Sequence, residues 1–276
     1  MLKISVIIPT YNQEQWIEKA IISAATQTYT NLEVIVTDDC SSDRTSEKVL
    51  NLLEQYERVK YFKNELNIGR VKNYHKGLYE LASGDYCITL DGDDFFTDVH
   101  FIERAVSEIE KHEDCNILFF QGDSTSMKSW KKHSIETHSE AKYETKIYRA
   151  KDYVLRFHEI GFSHLATLFN RQIALQNEFY TLDILSSDID SIIRMCLNNP
   201  DLKVLKTKSK VGIWLKHENN ASSSKSFKKL LPSLTIYFEY LNHSNANKIG
   251  LSKYWALRQS VRPLAALTLR KLGILR

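Results

Sequence analysis

The chain has 276 residues, of which 43% are hydrophobic and 26% charged, and its formal net charge is +3. It is long and apolar enough to bury a substantial core, which excludes a largely disordered protein. No run of residues reaches the roughly 18 uninterrupted apolar positions that a membrane-spanning helix needs.

The cysteines and the N-terminus indicate the compartment. The four cysteines, Cys40, Cys87, Cys115 and Cys196, form no C-x-x-C pair. Isolated thiols of this kind are typical of proteins from a reducing compartment. The first residues enter an apolar strand pattern directly, without the charged, apolar and small-residue zones of a signal peptide. We therefore predict a cytoplasmic protein.

Strand and helix patterns alternate over the first 120 residues. Asn12 and Gln15 resemble a capping box, which predicts that the first helix begins near Asn12. Strands alternating with helices indicate βαβ units and a mainly parallel α/β sheet with helices on both faces. The predicted strands cover residues 4–8, 32–36, 59–62, 86–90 and 116–120.

A polar cluster follows three of these strands. Because ligands bind beyond the carboxyl ends of parallel strands, we expect the three clusters to line one crevice. No G-x-G-x-x-G follows the first strand and no P-loop pattern is present, so a dinucleotide or P-loop site loses its main support. The clusters are Thr10 to Asn12, Asp38 to Asp43 and Asp91 to Asp94.

The third cluster carries the strongest chemical signal. Asp91, Asp93 and Asp94 surround Gly92, which we expect to permit a tight turn. Three neighbouring carboxylates repel one another unless donors or a cation neutralise them, and divalent cations bind to such carboxylates together with substrate phosphates. A solvent-exposed acidic turn is the alternative interpretation.

The positive charge is concentrated in the C-terminal tail. Residues 225–276 contain ten Lys or Arg and one acidic residue, a charge of +9, whereas residues 1–224 carry −6. Apolar residues at helical spacing from residue 227 onward predict a basic amphipathic helical extension. Such a tail can lie on an anionic membrane at the inner face of the cell membrane, or it can pack on the rest of the chain or on a second subunit.

Four motifs in the first hundred residues resemble those of family 2 type glycosyltransferases, inverting enzymes with a GT-A fold that use nucleotide sugars. The resemblance is good to about residue 120, patchier to about 224 and absent beyond. It implies a Rossmann-like GT-A sheet with a nucleotide-sugar-binding half (1–120), a half for the acceptor and the catalytic base (121–224) and the helical tail (225–276). The motifs lie at residues 5–12, 34–43, 67–73 and 84–94.

The resemblance implies a UDP-sugar donor. Asp39 then accepts the imide N–H of the uracil, with Asp38 as the alternative because consecutive residues of a strand point in opposite directions. Lys72 stands where family members commonly carry Arg, so its phosphate contact is less directional. The implied nucleotide-sugar site consists of Pro9, Thr10, Tyr11, Asp39, Lys72 and Asp91.

The same resemblance implies a metal site. Asp91 and Asp93 match the family's D-x-D motif, with Asp93 as the ligand of Mn²⁺ or Mg²⁺ and Asp91 on the ribose. The segment from Trp214 to His217 resembles an aromatic-basic-x-His segment in which the His reaches the metal or the diphosphate. Asp94 receives no role.

An inverting transfer also needs a general base for the acceptor hydroxyl. The resemblance assigns this role to Asp188, in an acidic pair with Asp190 that is followed by Arg194. The usual first residue, Glu, is replaced by Ser187. Because aspartate is a favoured N-cap residue, helix capping by Asp188 is the competing interpretation.

Together these implications predict a metal-dependent inverting glycosyltransferase. It moves a sugar from a UDP-sugar to a saccharide or lipid-linked saccharide in surface polysaccharide biosynthesis, without a nucleic-acid partner. A sugar nucleotidyltransferase is one alternative, although such enzymes usually carry a Gly-rich, Arg-containing loop after the first strand. A non-catalytic sugar-binding or scaffold protein is another, against which the presence of Asp39, Asp93 and Asp188 argues.

Overall fold

The computed structural model describes residues 1–112, 117–127, 144–217, 220 and 226–260. Cys115 and Asn116, the first residue of the fifth predicted strand, lie outside the described residues, as does the tail segment 261–276. In the described part, strands and helices alternate up to residue 89 as the sequence predicts.

Nine strands of the described residues form one sheet. Their order is β3-β2-β1-β4-β8-β6-β9-β5, and β7 pairs with β9. The strands are β1 Ile4–Thr10, β2 Leu32–Asp38, β3 Val59–Lys63, β4 Tyr86–Thr89, β5 Phe95–Phe96, β6 Ile117–Met127, β7 Thr145–Arg149, β8 Thr167–Asn170 and β9 Lys203–Leu215.

The helices connect these strands or follow the last of them. A π-helical turn, Gly77–Leu81, continues α3, and residues 253–260 are also helical. The helices are α1 Ile17–Ala25, α2 Thr45–Leu53, α3 Arg70–Lys76, α4 Phe101–Glu110, α5 Ala150–Leu155, α6 Phe157–Ile160, α7 Arg171–Gln176, α8 Ser187–Asn198, α9 Phe227–Glu239 and α10 Ala246–Ile249.

The sheet confirms the predicted α/β class and is parallel in its first half. β3, β2, β1 and β4 pair in parallel, whereas β8 is antiparallel to both β4 and β6. Helices cover both faces, because Val6 and Ile8 belong to one apolar cluster and Ile7, between them, to the other. The parallel half therefore brings the carboxyl ends of β1, β2 and β4 to one edge.

The predicted capping box at Asn12 is wrong. Helix α1 begins at Ile17, with Trp16 as its N-cap residue. Asn12 instead adopts a φ of 51°, and its Oδ1 accepts a hydrogen bond from the backbone N–H of Ser42 at 2.9 Å. The Asn12 side chain thus joins the loop after β1 to the loop after β2, where the first two polar clusters meet.

The described part of the C-terminal tail packs on the rest of the chain. Tyr237 and Tyr240 of the tail are buried in the apolar cluster that contains α5 and α8. The indole Nε1 of Trp255 donates to the carbonyl oxygen of Val154 at 2.9 Å. For residues 226–260 the structure therefore decides in favour of packing. The predicted divisions at residues 120 and 224 stay predictions, and β6 runs across the first of them.

None of the described helices combines the length and the apolar character needed to cross a bilayer.

Candidate active site

A cleft of about 760 Å³ opens at the carboxyl ends of β1, β2 and β4. The three polar clusters predicted to share a crevice all contribute to it. Of the nine residues that the sequence assigns to the site, eight line this cleft: Pro9, Thr10, Tyr11, Asp39, Asp91, Asp93, Asp188 and His217.

Asp39 is buried at the back of the cleft and shapes the loop before α3. Its Oδ1 accepts from the backbone N–H of Ile68 at 2.8 Å, and its Oδ2 accepts from that of Gly69 at 2.9 Å. Gly69 has φ 92° and ψ 152°, a conformation that is essentially restricted to glycine. Oδ1 also accepts from Nδ2 of Asn64 at 3.0 Å. Because a carboxylate offers about four acceptor positions, Asp39 keeps one position, on Oδ2, for a ligand N–H.

The alternative candidate, Asp38, is fully buried and does not line the cleft. Its Oδ2 accepts from the hydroxyl of Tyr61 at 2.6 Å and from that of Ser46 at 3.0 Å. The geometry therefore separates the two consecutive aspartates: Asp38 ties β2 to β3 and α2, and Asp39 faces the cleft.

The acidic turn places three carboxylates together. One oxygen from each of Asp91, Asp93 and Asp94 lies within 4.8 Å of the others. Close approach, and not a positive φ, favours glycine at position 92, because a Cβ there would lie 2.3 Å from Oε1 of Gln13 and 3.0 Å from Oγ1 of Thr10. The loop after β1 thus packs directly against the turn.

The electrostatics of the three carboxyl groups differ. Burial raises the pKa of Asp93, and burial together with the charges of Asp93 and Asp91 raises that of Asp94 well above its usual value. Burial opposes ionisation of Asp91 too, but hydrogen bonds with His164 and Tyr74 outweigh it and hold its pKa below the usual value. The turn therefore carries buried negative charge that a cation would stabilise.

His217 lies beside the acidic turn, as the resemblance implies. Its Nε2 is 2.7 Å from Oδ2 of Asp93, and its ring stacks on Trp16 with 4.2 Å between centroids. Asn220 donates to the same Asp93 oxygen at 3.0 Å. The segment after β9 thus contacts the turn through Asp93.

Asp188 and Asp190 have different surroundings. Asp190 is 1% exposed and is paired with Arg194 and the hydroxyl of Tyr240. Asp188 is partly exposed, lines the cleft and makes no hydrogen bond within the described residues. It does not cap α8, whose N-cap residue is Ser186. Of the acidic pair, Asp188 is the carboxylate that a ligand can reach.

Lys72 is the one predicted site residue that does not line the cleft. Its side chain is exposed on α3, and Arg70 lines the cleft instead. Nη2 of Arg70 donates to the carbonyl oxygens of Ile184 and Leu185 at 2.8 and 3.2 Å. Arg70 therefore links the first turn of α3 to the loop before α8, the helix that carries Asp188.

Sequence reasoning missed a network on the cleft floor. The hydroxyl of Tyr74 donates to Oδ1 of Asp91 at 2.6 Å, and Nδ1 of His164 lies 3.7 Å from Oδ2. Nε2 of His164 is 2.7 Å from the hydroxyl of Tyr180, which donates to Thr89 at 3.0 Å. Burial lowers the pKa of His164, but Asp91 outweighs it and raises the pKa above its usual value. No motif marked His164, whereas Arg70 directly follows the Asn67-Ile68-Gly69 motif.

The amino-acid sequence matches the profile of one protein family. The profile of Glycosyl transferase family 2 matches residues 5–176, which is more than half of the chain. This segment contains all three strand-end clusters, including the acidic turn. The chain belongs to glycosyl transferase family 2.

Several curated glycosyltransferases align with part of the chain. The GalNAc(5)-diNAcBac-PP-undecaprenol beta-1,3-glucosyltransferase of Campylobacter jejuni is 45% identical over 95 residues, 34% of this chain and 30% of that protein. The UDP-Glc:alpha-D-GlcNAc-diphosphoundecaprenol beta-1,3-glucosyltransferase of Escherichia coli is 37% identical over 120 residues, 44% of this chain and 45% of that protein. The matches thus span less than half of either relative.

Solved structures of glycosyltransferases share the fold over nearly the whole chain. Staphylococcus aureus TarS 1–349 in complex with UDP-GlcNAc has a TM-score of 0.69 at 21% identity, covering 97% of this chain and 73% of that one. A mannosyltransferase from Pyrobaculum calidifontis in complex with GDP-Man and Mn²⁺ has a TM-score of 0.63 at 18% identity, covering 97% and 75%. These likenesses confirm the GT-A fold of this family 2 member.

Proposed function

We propose that the chain is a divalent-metal-dependent inverting glycosyltransferase that transfers a sugar from a UDP-sugar to a saccharide acceptor. The observation that carries the proposal is the joint lining of one cleft by the acidic turn and by Asp188. Donor binding and proton removal need these two kinds of carboxylate in the same cleft.

The donor is proposed to occupy the side of the cleft formed by the ends of β1, β2 and β4. Tyr11, which is 50% exposed, offers its ring to the base, and Asp39 accepts from a base N–H. Pro9 and Thr10 border the same pocket, and Asp91 accepts from the ribose hydroxyls. A TarS structure contains UDP-GlcNAc, which supports UDP as the nucleotide.

The residues of the acidic turn suit Mn²⁺ or Mg²⁺. Hard cations prefer oxygen ligands, and buried carboxylates with raised pKa values gain most from a cation beside them. Asp93 would hold the ion, with His217 next to it. When bound, the ion would supply positive charge to the diphosphate as the bond to the sugar breaks.

Asp188 is proposed to act as the general base. The acceptor hydroxyl attacks the anomeric carbon from the side opposite the diphosphate, its proton passes to the Asp188 carboxylate, and UDP leaves with the bonding electrons. One inversion at the anomeric carbon follows from this single displacement. Asp188 is suited to the role because its carboxylate is reachable from the cleft, unlike that of Asp190.

The acceptor is proposed to be a saccharide carried on a lipid, in surface polysaccharide synthesis. The names of the Campylobacter and Escherichia relatives contain undecaprenol-linked acceptors, which supports this class. A cytoplasmic protein at the inner face of the membrane, contacting it through the basic end of the tail, would reach such a substrate. Family membership argues against the nucleotidyltransferase alternative.

The proposal is tested with the purified protein and a panel of UDP-, GDP- and dTDP-sugars. Without an acceptor, the enzyme is expected to transfer the donor sugar slowly to water and so free the nucleotide. This release of UDP should depend on Mn²⁺ or Mg²⁺ and stop with EDTA. We expect UDP-sugars to be preferred at least tenfold. Equal release from all three nucleotides, or release that resists EDTA, would contradict the proposal.

A second test compares Arg70 with Lys72. Arg70→Ala removes two hydrogen bonds to the loop that carries Asp188, and bonds from a charged donor contribute roughly 1.5–3 kcal/mol each. We expect its transfer rate to fall by at least about tenfold, since 1.4 kcal/mol corresponds to a factor of ten. Lys72→Ala, on the same helix but outside the cleft, should stay within about twofold of wild type. A donor KM that rises more for Lys72→Ala than for Arg70→Ala would restore Lys72 as the phosphate contact.

A further inference from the structure

The wall of the cleft next to Asp188 comes from outside the family-matched segment. Four residues of α9 line the cleft: Leu230, Ser233, Leu234 and Tyr237. They recur at positions i, i+3, i+4 and i+7 and thus share one face of the helix. The family match ends at residue 176, so α9 lies outside it, as Asp188 does.

Helix α9 is anchored to the helix that carries Asp188. The backbone N–H of Ser186 donates to Oγ of Ser233 at 3.2 Å, directly before α8. The hydroxyl of Tyr240 bonds to Oδ1 of Asp190. On its other side, Oγ of Ser260 donates to the carbonyl oxygen of Leu234 at 3.0 Å. The wall and Asp188 are therefore held in a fixed relation.

The groups on this wall and opposite to it are apolar, aromatic or hydroxylic. Phe162, Ser163 and Ser124 line the same cleft, and the hydroxyl of Ser163 donates to that of Ser124 at 2.8 Å. Ile189 lines it directly after Asp188. Apolar and aromatic surfaces pack on the C–H faces of a sugar ring, and hydroxyl groups hydrogen-bond its own hydroxyls. None of these eight residues carries a formal charge at neutral pH, which favours a neutral ligand.

We infer that the α9 wall and the segment Phe162 to Ser163 form the acceptor subsite, and that it holds a neutral pyranose ring beside Asp188. The inference rests on the proposed function, because it takes Asp188 as the base. It adds that the acceptor is selected by a helix outside the family segment. The acceptor ring presents its hydroxyl to Asp188 while its apolar face lies against α9.

Two neighbouring leucines of α9 provide the test and its control. Leu230 is half-buried and lines the cleft, whereas Leu231 is 43% exposed and points away from it. Leu230→Trp fills the subsite with an indole, and Leu231→Trp makes the same change on the solvent side. Thermal unfolding and UDP binding with Mn²⁺ are measured first for all three proteins, which tests folding and the donor half separately.

The probes are the methyl β-glycosides of glucose, galactose and N-acetylglucosamine, with methyl β-glucuronide as the charged comparison. Saturation-transfer difference NMR with UDP and diamagnetic Mg²⁺ present should show at least one neutral glycoside bound to wild type and to Leu231→Trp. For Leu230→Trp, the saturation-transfer signal of that glycoside should be at least about tenfold lower than for wild type, while UDP binds with unchanged affinity.

The inference is overturned if wild type binds UDP but none of the neutral glycosides, if the glucuronide binds best, or if Leu230→Trp and wild type bind the sugars equally. A wild type that does not bind UDP contradicts the proposed function instead, and with it the inference. The two failures are therefore distinguishable.

Discussion

Replacing Asp188 by asparagine is expected to lower the rate of sugar transfer by roughly 10²- to 10⁴-fold, the usual contribution of a general base. Asparagine has nearly the same shape but cannot take the proton of the acceptor hydroxyl. The described residues make no hydrogen bond to the Asp188 carboxylate, so the change removes no side-chain hydrogen bond there; what it removes is a charge near Arg70 and His164. The thermal unfolding midpoint and the affinity for UDP should therefore stay close to those of wild type.

Asp190→Asn is the matched control for Asp188. The two residues lie in the same first turn of α8, but Asp190 is buried and paired with Arg194 and Tyr240. Breaking a buried pair by removing one charge costs roughly 3–5 kcal/mol, so this variant should lose stability. Transfer and unfolding are measured for both. Undiminished transfer by Asp188→Asn, or a loss explained by unfolding, would remove Asp188 from the role of base.

Replacing Asp93 by asparagine is expected to abolish the response to metal. Several kcal/mol of charge stabilisation by a bound cation correspond to a transfer rate about 100-fold lower or more. With Mn²⁺ present, UDP should bind Asp93→Asn more weakly than wild type. Without metal, Asp93→Asn should bind UDP as tightly as wild type or more tightly, because the variant lacks a buried carboxylate that repels the diphosphate.

Asp85→Asn controls for the loss of one acidic group. Asp85 lies directly before β4 and is exposed, while Asp93 follows the same strand at its other end. UDP binding is measured by calorimetry for both variants with Mn²⁺ and with EDTA, and transfer is measured with Mn²⁺. Asp85→Asn should match wild type throughout. Equal Mn²⁺ enhancement of UDP binding in wild type and Asp93→Asn would show that Asp93 is not the metal ligand.

The strand ends were predictable because they depend on local pattern. Apolar runs that stop at polar residues locate β1, β2 and β4, and parallel pairing brings their carboxyl ends together. Thr10, Asp39 and Asp93 follow from this argument and line the cleft. The acidic pair before Arg194 was also predictable, because its residues are close neighbours in the sequence. Only the structure distinguishes Asp188, which a ligand can reach, from Asp190, which is paired.

The choice between Arg70 and Lys72 was beyond the sequence. Residues two apart on a helix differ by about 200° in direction, so only the rotation of α3 decides which one enters the cleft. Asp38 and Asp39 pose the same problem at the end of a strand. No sequence motif identifies His164 as a site residue, because its partners, Asp91 and Tyr180, are distant along the chain.

The sequence by itself determined the order of strands and helices in the first half, the edge at which they meet and the family resemblance, because periodicity and turn residues act between near neighbours. Only the tertiary structure decided which side chains face the cleft and that α9 closes it. Those facts depend on helix rotation and on contacts between residues far apart, such as Ser186 with Ser233 and Trp255 with Val154. A tail that composition alone left free to lie on a membrane is, up to residue 260, part of the folded core.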